Sequence, residues 1–148
     1  MANHDYIISE AEFFKDKNDE NNRNFLKGTG IDLSKECSST IPTIKEIKQS
    51  LINFNFEVSI ILILTDRLEL SASKDKNSIW LIFTDDVDDN LRVSMFEIGR
   101  GSDYDLTLDF VKYLGKTHGR FLLYSDSGIM SLIEPDKSNE LIKNEFLQ

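Results

Sequence analysis

Residues 54–98 constrain this chain most, because they alternate like adjacent strands of one sheet. Phe56, Val58, Ile60, Leu62 and Leu64 recur at every second position and so share one face of an extended segment. Ile61 and Ile63 make the opposite face apolar as well. A strand apolar on both faces is expected at the centre of a sheet, covered on both sides. Leu68-Glu69-Leu70-Ser71-Ala72 alternates cleanly and predicts a half-exposed strand after a tight connection at Asp66-Arg67. Residues 74–77 read as a polar turn. Ile79, Leu81 and Phe83 then face one way, and Trp80 and Ile82 the other. The alternation breaks over 85–90 and resumes with Leu91, Val93 and Met95. Gaps this short favour antiparallel neighbours, since a parallel pair needs a crossover of about a dozen residues or more. The expected core is Phe56, Val58, Ile60, Leu62, Trp80, Leu81, Phe83, Phe110 and Leu114.

Before this stretch, residues 6–14 fit two periods. Ile7, Ile8, Ala11 and Phe14 make a helical stripe, whereas Tyr6 and Ile8 suit a strand; the reading adopted is a short helix. Residues 15–24 contain no apolar side chain and predict a mobile polar loop. Gly28-Thr29-Gly30 is an ordinary turn, without the third glycine and the strand-then-helix context of a nucleotide-binding fingerprint. Thr43 and Glu46 match a capping box opening a helix whose buried stripe is Ile44, Ile47 and Leu51. A second helix is expected from Ser102 or Asp103 to about Leu114, stopped by Gly115. Its start competes with a strand reading, because Tyr104, Leu106, Leu108 and Phe110 alternate. Residues 120–124 and 129–133 form a hairpin around 125–128, and Ser138 caps a last helix with Leu141, Ile142 and Phe146 inward. The predicted fold is α+β: one domain over 1–148, a mainly antiparallel sheet of meander plus C-terminal hairpin, with two to four helices mainly on one face.

The net charge of −9 disfavours a nucleic-acid partner and an anionic membrane surface. The longest apolar run, 60–64, is too short to cross a bilayer, and no export signal opens the chain. A single cysteine, Cys37, fits a reducing, cytoplasmic setting. Segment 85–109 holds eight acids against Arg92 and Arg100, a local −6. A solvated turn and helix start account for it without function. A surface steering a basic protein partner also accounts for it, with Asp85, Asp86, Asp88 and Asp89 as its centre and Asp103 and Asp105 as a second edge.

Chemistry has less to build on. A calcium-binding EF-hand starting at Asp85 would need glycine at its sixth position and glutamate at its twelfth, where this chain has Asn90 and Phe96. His118 with Asp126, or a metal on the 85–89 acids, is the enzyme alternative; no Gly-x-Ser-x-Gly elbow and no zinc spacing accompany them. No cofactor and no metal are expected.

In size, acidity, lack of an export signal and mixed α+β pattern, the chain resembles the small acidic immunity proteins that bacteria make beside their toxins. The layout of 110–121 followed by Ser125-Asp126-Ser127-Gly128 is similar to the helix–glycine–strand–turn endings of several such families. The resemblance implies inhibition by binding, with an acidic surface covering the active site of a basic toxin such as a nuclease. It carries over no individual residue. A phage or cellular adaptor without catalysis would share these features, and the oligomeric state stays open.

Overall fold

The computed structural model describes residues 4–85, 87–126, 128 and 130–146. Among them, seven strands form one antiparallel sheet: β1 (Asp5–Ser9), β2 (Glu57–Ile63), β3 (Arg67–Lys74), β4 (Asn77–Thr84), β5 (Met95–Ile98), β6 (Phe121–Ser125) and β7 (Met130–Ile133). The order across the sheet is β2-β3-β4-β5-β1-β6-β7. Five helices accompany it: α1 (Ala11–Phe14), α2 (Glu20–Phe25), α3 (Ile44–Asn53), α4 (Tyr104–His118) and α5 (Asn139–Phe146). This is the expected α+β domain.

The meander β2–β3–β4 follows the predicted hairpins. Leu64 donates its amide to the Arg67 carbonyl at 2.8 Å, closing the first turn, and Asp75 takes a positive φ of 57° in the second. The 6–14 reading is corrected. Residues 5–9 are a strand, and only Ala11–Phe14 is helical. β1 runs antiparallel between β5 and β6, with Ile7 opposite Phe96 on one side and Leu123 on the other. Residues 20–24, expected within a polar loop, form α2 together with Phe25, and the N-cap Asp19 accepts from the amides of Asn21 and Asn22.

The main core lies between one sheet face and α3, α4 and α5. Ile7, Leu70, Leu81, Phe83 and Phe121 meet Ile47, Leu51, Phe110, Leu114 and Ile142 there. A smaller cluster of Ile8, Phe13, Leu26, Leu122 and Leu132 covers the other face over β1, β6 and β7. α3 has the capping box read from its sequence: the Glu46 amide donates to Thr43 Oγ1 at 3.1 Å, and the Thr43 amide to Glu46 Oε1 at 2.9 Å. α4 is capped by Asp103 but passes through Gly115 and stops at Gly119, whose φ is +87°. A positive φ there is one that glycine adopts at little cost. Gly99 is needed for space, since a Cβ would sit 2.3 Å from the Trp80 indole.

β2 overturns the central-strand expectation. It pairs only with β3 and forms one edge of the sheet. Ile60, expected in the core, is 55% exposed, while Val58, Leu62 and Trp80 are half-buried. β5 is also shorter than expected: residues 91–93 pack against the start of α3 instead, with a bridge between Thr43 and Arg92.

Leu70→Ala removes a side chain with no exposed surface, and it should cost about 2–5 kcal/mol in urea denaturation. Ile52→Ala, at an exposed position of α3, should stay within about 0.5 kcal/mol of the parent. Equal losses would contradict this core.

Candidate functional site

The acidic connection between β4 and β5 is pinned to the start of α3. Lys45 donates its amide to the Asp89 carbonyl at 3.0 Å, Ile44 donates to Leu91 at 3.2 Å, and Val93 donates to Pro42 at 2.7 Å. Arg92 reaches the Ile41 carbonyl through its guanidinium at 2.6 Å. Within the loop, Asp88 Oδ1 accepts from the Asn90 amide at 2.8 Å. Asp89 takes an ion pair from Lys48 Nζ at 2.8 Å yet keeps its side chain 54% exposed. Asp85 and Asp88 are exposed, and Asp85 has a positive φ of 69°. Asp86 lies outside the described residues.

The other two nominated acids sit elsewhere. Asp103 caps α4, accepting from the Leu106 amide at 2.9 Å, and Asp105 pairs with Lys143 at 3.0 Å. The Asp103 amide binds Ser78 at the start of β4, whereas Asp85 follows its end. A strand of that length separates the two groups by roughly 20 Å. The local −6 of the sequence is therefore two acidic surfaces, not one.

Beside the 85–92 connection lies a buried polar network that ties residues 39–40 to the end of α4. His118 is only 5% exposed. Its Nδ1 is 3.0 Å from Thr40 Oγ1, its Nε2 is 3.8 Å from Glu46 Oε2, and its carbonyl accepts the Thr40 amide. Burial pushes the imidazole pKa down; Glu46 opposes this and Arg92 adds to it. Glu46 itself is lowered, chiefly by the hydrogen bond from the Thr43 amide. Next to it, the buried Glu10 accepts from Arg120 Nε at 3.0 Å and from Ser39 Oγ at 2.5 Å, and Arg120 continues to Glu134 at 3.2 Å. Gly119 lies so close to Ser39 that a Cβ would come within 2.1 Å of its hydroxyl.

The sequence did not point to this network, although Glu10 and Arg120 each abut an apolar strand, where an unpaired charge would be costly. The structure does not bring His118 to Asp126. The whole of β6 lies between them, and the Asp126 amide binds the His4 carbonyl. Ser127 and Ile129 lie outside the described residues. Among the described residues, no group of three His, Cys, Asp or Glu is arranged to hold a metal ion. No helix of the structure is long and apolar enough to cross a membrane. Comparison with models of protein families, with curated proteins and with solved structures finds no match to this chain.

The direction of the His118 shift fixes a pH dependence. With the folded imidazole below the ordinary value of about 6.5, its contribution is complete above that pH. It is lost as pH falls from there through the folded value, because the unfolded chain takes up the proton first. The urea midpoint of the parent should drop as pH falls below about 6.5, and His118→Gln should remove most of that drop. An undiminished drop in the variant would place the titrating group elsewhere.

Proposed function

We propose that this chain is a non-catalytic acidic binding protein of the toxin-immunity kind. It neutralises a basic toxin domain, such as a nuclease, by covering its active or substrate-binding surface in the bacterial cytoplasm. The supporting observation is the way the 85–92 connection is held. Its backbone is hydrogen-bonded to the start of α3, while Asp85, Asp88 and Asp89 keep their carboxylates toward solvent. A loop already fixed loses little conformational entropy on binding, and clustered exposed charge of one sign raises the association rate of an oppositely charged partner. Asp86 belongs to the same short acidic run, and Asp103 and Asp105 offer a separate contact at the other end of β4.

The catalytic alternative has weaker support. Thr40, His118 and Glu46 form a hydroxyl–imidazole–carboxylate row, but the imidazole is buried and the row fastens a loop to a helix end. An adaptor without catalysis would use the same acidic surface, and the identity of the captured partner distinguishes the two.

The partner is to be captured from the native host with the intact chain, and its binding rates measured. Asp85→Asn, Asp88→Asn and Asp89→Asn combined should slow association about tenfold or more at low salt. The difference should shrink at high salt, as screening removes steering beyond a Debye length of about 8 Å at physiological ionic strength. Rates identical to the parent's at every salt concentration would remove this surface from the interaction.

A further inference from the structure

The two edges of the sheet are treated differently. β7 is short, packs against α5, and has its Leu132 carbonyl bound by Lys137 Nζ at 3.1 Å. β2 has seven residues, and its outer backbone edge meets no strand among the described residues. Soluble proteins usually protect such an edge with charges, prolines, bulges or a covering element, and β2 has only an irregularity in its register with β3 between Ile60 and Leu62. Here residues 58–65 contain no charge and no proline. Ile60, Ile61, Ile63 and Leu64 are each more than half exposed. A strand apolar on both faces is the sequence of a covered strand; α3 packs against β2 and Val58 joins the core, but Ile60, Ile61, Ile63 and Leu64 are left without cover.

We infer that the cover is a second copy of this chain, paired antiparallel through β2 about a twofold axis. Three observations select this occupant. An antiparallel pairing is self-complementary, so one strand can meet its own copy with the same donors and acceptors. Electrostatics permits it. Residues 57–84 hold four acids against three bases, a net of −1 out of the chain's −9, so the copies meet at a region of little net charge. The only charge on β2, Glu57, lies at its end. In registers centred near Ile60 or Ile61 it meets residues 63–65 of the copy rather than its own equivalent. The protected β7 edge ends the assembly at two copies, and the acidic 85–92 connection, outside β2–β4, stays free for another partner.

The test is the mass of the intact chain in solution as a function of concentration, by light scattering and sedimentation. The parent should weigh twice the single-chain 17.0 kDa. Added salt should tighten the pair, since each copy carries −9. Ile60→Lys with Ile63→Lys should raise the dissociation constant at least about a hundredfold. Leu141→Lys, at an exposed position of α5, should leave it unchanged. A parent of single-chain mass up to about 100 μM, far above a micromolar dissociation constant, would overturn the proposal. So would a dimer unmoved by the double variant, or open-ended polymers. Should the variant misfold, amide exchange on the parent decides: β2 amides should slow as concentration rises, and concentration-independent exchange would also overturn it.

Discussion

The sheet depends on where its first strand goes. β1 lies between β5 and β6, so it joins a four-strand meander to a C-terminal hairpin that otherwise share no strand pairing. Its register runs Asp5–Ile8 against Ile98–Met95 and Asp5–Ser9 against Ser125–Phe121. Both faces are used. Ile7 has no exposed surface in the main core, and Ile8 is buried under α1 and the segment after α2. These pairings close loops of about ninety and more than a hundred residues, which makes them costly in chain entropy and late to form.

The polar network follows from that insertion. Glu10 comes directly after β1 and Arg120 directly before β6, so strand pairing brings their side chains together. A carboxylate this buried is tolerable only with its partners present, and the half-exposed Arg120 and Ser39 supply them. Ser39 joins the pair, Thr40 binds His118, and residues 41–43 lead into α3 and its acidic neighbour. The exposed carboxylates of Asp85, Asp88 and Asp89 are thus supported through α3 by the joint that β1 makes. The same topology leaves β2 outermost, because β1 enters the sheet on the other side of β5.

What the sequence revealed was local. Thr43 and Glu46 lie three apart, and their capping box needs nothing else from the fold. The 74–77 turn and the strands around it were readable for the same reason. β1 was misread because Tyr6, Ile7 and Ile8 fit either period, and the partners that decide lie far along the chain. β2 was misread because alternation reports that a strand is apolar on both faces, not that anything covers them. Gly115 and Gly119 are equally able to end a helix; the close approach of Ser39 is what demands glycine at the second. Composition pooled eight acids into one segment, whereas the fold sets Asp85 and Asp103 at opposite ends of β4.

That β1 makes one cooperative unit of two half-sheets is tested most directly by native-state amide exchange. The amides of Ile7 and Ile8 should exchange only through global unfolding, with the same opening free energy as Leu70 in the meander and Leu123 in the hairpin. Rapid exchange of β1 while Leu70 and Leu123 stay protected would mean that the half-sheets stand without it, and that β1 joins nothing.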